Sequence, residues 1–243
     1  MTRKIYQRPH IKEVVCEIRC DGNELNDNIF HDFFSNIEEN FSKIETIRNI
    51  NIHVGPMPPP PLSRPSKRII SKDQKSLTLV GSGFFALSFL NYKQWEHFFE
   101  QIQWVGKRYF KSIDAKNFFR IGLRYINHFY FTEEQSRSLD NFFNFSLGVP
   151  KSLNNIAAFS VGIVNTFEQT VINVKLGNGK EHPNGGRPII ILDMDHYTKP
   201  GVTLALGGLY KFINDVHEKT HDVFEELITE KMRKEILGGY QLI

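Results

Sequence analysis

From Ile11 to Cys20 apolar and polar residues alternate, with Val14, Cys16, Ile18 and Cys20 on one side and Glu13, Val15, Glu17 and Arg19 on the other. A period of two predicts a β-strand with one dry face. The period then changes in "DNIFHDFFSNIEENFSKI", where Ile29, Phe33, Ile37, Phe41 and Ile44 recur every three or four residues, as in an amphipathic helix. Strands follow in "KRIISKD" and in "SLTLVGSGFFALSFLNY", the second interrupted at Gly81 to Gly83. A second helix is predicted where Trp95, Phe98, Phe99, Ile102, Val105, Tyr109 and Ile113 form one stripe.

The same order then recurs. A strand "FFRIGLRYINHFYF" precedes a helix-like "SRSLDNFFNFSL", three strands ("AAFSVGIVNTF", "QTVINVKLG" and "RPIIILDMDHYT") and a long helix from Leu206 to Leu237. Two short stretches align across the halves at one offset: Arg19 with Arg124, and Leu87 and Tyr92 with Leu192 and Tyr197, each 105 residues apart. A constant offset is the mark of an internal repeat. The reading is α+β: two tandem strand-helix-strands-helix repeats, residues 1–116 and 117–243, with a mainly antiparallel sheet and long packing helices. Two such units are expected to join their sheets about a pseudo-twofold axis, leaving a groove between the halves where ligands or partners bind.

Composition narrows the class. With 40% apolar residues, 21 of the chain's residues being Phe, there is ample material for a core. No apolar run approaches the roughly 20 residues of a membrane span, and the start "MTRKIYQRPH" lacks a signal-peptide core, so a cytoplasmic protein without membrane contact is expected. Cys16 and Cys20 on one strand face stand roughly 13 Å apart, too far for a disulfide, and read as buried reduced thiols. A net charge of +3 argues little for nucleic acid. The nearest basic candidate is "LSRPSKR", 62–68, beside a Pro-rich loop at 55–66, which reads as a solvated loop or a phosphate-touching arm.

Three constellations bear on chemistry. "VHEKTH" spells H-E-x-x-H, which on a helix can present His217 and His221 to zinc with Glu218 as general base. A third ligand would come from Asp193, Asp195 or His196 of "LDMDHY". Against this, Glu218 points nearly opposite the apolar stripe, and the extended pattern needs a glycine where Phe224 stands. Alternation places Asp193 and Asp195 together on a polar strand face, as a magnesium-binding pair or as salt-bridge partners. The third constellation is a mixed-charge ladder of Glu13, Glu17, Arg19, Arg120 and Arg124. If the two first strands sit side by side, Glu17 pairs with Arg124 or Arg120; the functional alternative is an arginine clamp for phosphate or a partner's carboxylate. Fingerprints of serine hydrolases, P-loop enzymes and dinucleotide binders are absent. "GNGKEHPNGG", 177–186, has the glycines of a phosphate loop but not their spacing.

"YQRPHIKEVVCEIR", "RIGLRYIN", "ILDMD" and the closing "VHEKTHDVFEELIT" resemble a sporadically distributed bacterial family to which no catalytic role is attached. The likeness covers nearly the whole chain in order. It extends to a closing-helix pattern matched by His217, Phe224 and Thr229, of which Glu218 and His221 are not part. Such families travel on mobile elements and in antiviral-defence or toxin-antitoxin loci. The expectation is a non-enzymatic binding or regulatory protein, such as an antitoxin, sensor or accessory component, with a protein partner, without cofactor, and with homo-oligomers allowed. Arg19, Arg120, Arg124, Asn127 and Glu17 are its candidate binding residues. The alternatives are a metal-dependent hydrolase or nuclease using the H-E-x-x-H segment, with zinc as its metal, and a nucleic-acid-binding protein.

Overall fold

In the computed structural model the described residues are 4–8, 10–47, 66–90, 92–145, 158–179 and 186–242. A short strand, Lys4–Tyr6 (β1), precedes the alternating strand Ile11–Cys20 (β2). Helix α1, Asp27–Ser35, starts at Asn26, whose side chain accepts a hydrogen bond from the Ile29 N–H. That bond satisfies a donor which the first helical turn leaves free. The predicted helix continued through Ile44; instead it ends at Ser35, and Phe41–Ile47 is a strand, β3. The helical spacing of Phe41 and Ile44 is a coincidence. β-Branched Ile44, Thr46 and Ile47 suit a pleated strand, and β3 pairs with β4, Ser66–Ser71.

The interruption at Gly81 to Gly83, on sequence alone a break into strand pieces or a bulge, divides the segment into β5, Ser76–Gly81, and β6, Phe84–Phe89, which pair as a hairpin. Gly83 turns it at φ 69°, where a Cβ would fall 2.6 Å from the Cys20 carbonyl oxygen. Helix α2, Trp95–Ser112, leads into β7, Asn117–Tyr130. The helix expected over 136–147 is reduced to one turn, α3 (Glu133–Ser136), and a 3-10 turn at Leu139–Asn141. Phe143 bridges to Ile228 and the Asn144 N–H donates to the Leu227 carbonyl, pairings that draw this backbone out of a helix, and Ser136 bonds the Glu133 carbonyl as in a turn.

β8, Ser160–Thr166, β9, Thr170–Asn178, and β10, Ile189–Thr198, follow as predicted, and β11, Leu204–Ala205, adds a short pairing to β7. The last helix, α4, spans Leu206–Leu227 and stops ten residues short of the expected Leu237. Ile228 is extended there and bridges to Phe143, and Met232–Ile236 forms a wide π turn before β12, Tyr240–Leu242.

The main sheet runs β3-β4-β5-β6-β2-β7-β10-β9-β8, with every pairing antiparallel. α1, α2 and α4 cover the face that carries Val14, Cys16 and Ile18, and both cysteines are buried free thiols. Burial pushes the Cys20 thiol up to about 12 and that of Cys16 higher still, so both are inert. The ladders do not keep the 105-residue offset. Cys16 faces Leu87, yet their offset counterparts Ile121 and Leu192 are out of step, because Leu192 faces Asn127, six residues further along β7. No helix among the described residues is long and apolar enough to cross a membrane.

The buried side chains form two apolar clusters. One lies beneath α1, α2 and the start of α4; the other joins the ends of β7 and α4 to β9 and β10. α4 belongs to both, with Leu209, Ile213 and Val216 in the first and Phe224 in the second. Its polar residues His217 and Thr220 lie between them.

Candidate functional site

β2 and β7 pair at the centre of the sheet, and the face turned away from the helices collects the predicted charges. Glu17, only 6% exposed, accepts hydrogen bonds from Arg19 Nε at 3.0 Å and Arg120 Nε at 3.1 Å. Of the two partners expected for Glu17 across the junction, the structure selects Arg120. Arg124 turns instead to Asp193, donating from Nε and Nη2 to both carboxylate oxygens. Among the described residues Arg19 and Arg124 therefore share no partner. Arg120 also lies over the Tyr197 ring, 4.3 Å from its centroid. Gly122 leaves room for this, since a Cβ there would meet Tyr197 Cβ at 3.3 Å.

Asp195 sits among these charges without full compensation. It is 5% exposed, its Oδ2 accepts no hydrogen bond among the described residues, and Arg120 Nη2 lies 3.8 Å from that oxygen. Burial pushes its carboxyl up to about 7, opposed by Arg120 and Arg124 and reinforced by Glu17 and Asp193.

On the opposite face of the sheet, α4 carries the H-E-x-x-H segment. His217 is buried, its ring stacked on Trp95 with centroids 3.9 Å apart and its Nδ1 2.8 Å from the Tyr125 hydroxyl. His221 is half-exposed, with Nε2 3.9 Å from Glu225. Asp193 and Asp195 lie across the sheet from the helix. His196 does reach it, but both of its nitrogens are engaged by threonine hydroxyls, Nδ1 by Thr220 and Nε2 by Thr170, each at 2.8 Å. The Thr220 hydroxyl donates to the Val216 carbonyl, so Nδ1 of His196 must be the donor and Nε2 the acceptor from Thr170. This neutral tautomer fits a pKa that burial, aided by Lys219, lowers to about 4. Among the described residues no group of three His, Cys, Asp or Glu is placed to hold a metal ion.

His217 and His221 instead line a cavity of about 430 Å³ at the seam between the two apolar clusters, a volume typical of small-molecule sites. Glu218 is outside its wall. The floor is formed by Tyr125, Asn127 and Met194 of the sheet and the sides by Trp95 of α2 and Phe224 of α4. Tyr6 and His10 of the N-terminal segment complete the wall. Trp95 is fixed by donating from Nε1 to Asn214 Oδ1 at 2.9 Å.

The N-terminal wall is held by the end of the chain. β1 pairs with β12, and Arg8 Nη1 donates to the Glu235 carbonyl at 2.8 Å. Glu225 of α4 accepts from Lys4 at 2.8 Å, from Tyr6 at 2.6 Å and from Arg233. Burial works against the charge on Glu225, but the Lys4 and Tyr6 hydrogen bonds hold its carboxyl below the usual range. Tyr6, Arg8 and His10 of the opening segment thus form one part of the cavity wall.

Of the predicted binding residues, Asn127 alone is brought to the cavity; Glu17, Arg19, Arg120 and Arg124 belong to the far face. Sequence reasoning placed Trp95 in a core stripe and passed over Tyr6 and His10, although both belong to the opening motif. The predicted basic arm is in part a strand: Lys67 lies 3.2 Å from Asp27 and Arg68 3.3 Å from Glu45, both on β4. Residues 62–65, with the Pro-rich loop up to residue 65, and 180–185 of the Gly-rich segment fall outside the described residues. Comparison of the sequence with protein-family models found no match, and neither did comparison with curated proteins, so the geometry of the site carries the functional reading.

Proposed function

We propose that the protein is a non-enzymatic binding and regulatory protein that recognises a small ligand in the cavity beside α4. One observation carries this reading: the wall is contributed by the N-terminal segment, α2, the central strands and α4, so an occupant contacts segments far apart in sequence at once. A ligand that touches several elements shifts their relative positions by its differential affinity for the alternatives. In that way a sensor conveys occupancy to a protein partner. The family resemblance supplies the setting, an accessory or antitoxin component of a bacterial defence or toxin-antitoxin locus.

The reading includes duplication of one unit, 1–116 and 117–243. Its support is the antiparallel meeting of β2 and β7 at mid-sheet and the parallel sequence of neighbours outward, β6-β5-β4 on one side and β10-β9-β8 on the other. On this reading the six-residue slip of the ladders is a divergence in register between the copies.

The test uses indole as a probe of the cavity. Calorimetry on the full chain is expected to show one saturable site, abolished by Ile5→Trp, which places bulk at the mouth. Failure of indole and of its methylated relative to bind at millimolar concentration would overturn the reading.

A further inference from the structure

The cavity wall sorts by charge. Its ionised members, Lys4, Arg8, Lys93 and Glu96, are half or fully exposed and stand at the rim. The deep wall is uncharged: Tyr125, Asn127, Met194 and Thr220 are 7%, 2%, 1% and 2% exposed, and Trp95 and Phe224 are also buried. An ion pushed to this depth loses its hydration and meets no countercharge there. The inserted part of a ligand is therefore neutral, and aromatic walls favour a ring, which gains by stacking or edge contact.

Asn127 adds a directional requirement. Its Nδ2 faces two backbone carbonyls, those of Leu192 at 2.9 Å and Tyr125 at 3.5 Å. Carbonyl oxygens only accept, so the amide nitrogen must be the atom directed at them, which fixes the side-chain orientation. Oδ1 then accepts no hydrogen bond from the described residues, and it belongs to a side chain that is almost entirely buried in the cavity floor. Where solvent reaches it, water can satisfy it. A ligand that displaces that water must supply a donor or leave a buried acceptor unpaired.

Resting on the cavity reading above, we infer that the site takes an uncharged planar aromatic ring bearing an N–H group, whose hydrogen is accepted by Asn127 Oδ1. The buried His217 and Trp95 stack makes a stiff side to the slot, and Tyr125, held by His217, keeps the floor from collapsing onto Asn127. Specificity then comes from a group built to pair with an N–H, which discriminates more strongly against a missing donor than an apolar pocket discriminates by size.

Calorimetric titration of the full chain with indole and with 1-methylindole, which has nearly the same ring and no N–H, tests this. Indole is expected to bind about ten-fold more tightly or better, the usual consequence of leaving a buried acceptor unsatisfied. Asn127→Leu should bring the two ligands to parity, while Lys93→Ala at the rim leaves their ratio unchanged. Equal affinities on the unsubstituted protein would overturn the inference and leave the cavity reading standing; binding of neither would overturn the cavity reading itself. Should Asn127→Leu fail to fold, the comparison of the two ligands on the unsubstituted protein still decides.

Discussion

Arg124 does not pair with the carboxylate directly opposite it. Asp195 is its cross-strand neighbour, yet the guanidinium reaches diagonally to Asp193, with Nε and Nη2 at 2.8 and 2.7 Å from the two carboxylate oxygens. The fork on the diagonal satisfies one acid fully and leaves the other, Asp195, with a longer contact to Arg120.

Removing the arginine strands Asp193. With 28% and 17% of the two side chains exposed, solvent screens part of the interaction, so Arg124→Met is expected to cost about 2 kcal/mol rather than the larger value of a fully buried pair. The double variant Arg124→Met with Asp193→Leu should recover most of that loss. Urea denaturation of the four proteins in the cycle measures both.

Asp195 makes stability depend on pH with a defined sign. Its folded pKa, about 7, lies above the ordinary carboxylate value, so the folded state holds the proton more tightly than the unfolded chain. The contribution of Asp195 is greatest below about pH 4 and is lost as pH rises through about 7, each unit of the difference being worth about 1.4 kcal/mol. His10 and His196, both lowered to about 4 chiefly by burial, act oppositely and lose stability as pH falls below about 6.5. Asp195→Asn is therefore compared with the parent at each pH: the variant should gain relative stability from pH 5 to pH 8. A stability difference that is constant over this range would show that Asp195 titrates normally.

The two histidines of H-E-x-x-H are expected to behave differently. His217→Phe keeps a ring against Trp95 but removes the hydrogen bond between His217 Nδ1 and the buried Tyr125 hydroxyl, at about 1 kcal/mol. His221→Ala, on a half-exposed position, should change stability by less than about 0.5 kcal/mol. Thermal unfolding of both variants, with zinc analysis of the parent, separates this from a metal site. In a zinc site both substitutions would release a stoichiometric ion.

Cutting the chain between 116 and 117 exposes β2 on one fragment and β7 on the other, each with a long row of unpaired backbone groups. The fragments expressed singly should aggregate, and co-expressed they should co-purify as a soluble pair. Solubility of either fragment alone would show that the half-sheet is self-sufficient. The clasp of β1 on β12 also crosses the cut and contributes to reassembly.

Where local spacing decides the conformation, the fold was legible. The alternation of β2 and the stripe of α2 both survive in the structure, because each satisfies a period with one buried face. Phe41 and Ile44 misled, since spacings of three and four also occur by chance in a strand, and only pairing with β4 decides between the two. Ile228 misled for a related reason. Its apolar side chain continues the helical pattern, but a bridge to Phe143, distant in sequence, draws the backbone out of the helix.

The candidate site divides in the same way. Sequence by itself determined the facial composition of each strand, and so the gathering of Glu17, Arg120, Arg124, Asp193 and Asp195 on one side of the sheet and of Tyr125, Asn127 and His196 on the other. Only the tertiary structure decided partners: Arg124 with Asp193 rather than Glu17, His196 with two threonines rather than a metal, and His217 with Tyr125 and Trp95. Periodicity follows from the geometry of one strand or helix. The choice among several partners within reach depends on how neighbouring elements are slid and stacked, and that is set by the packing of the whole chain.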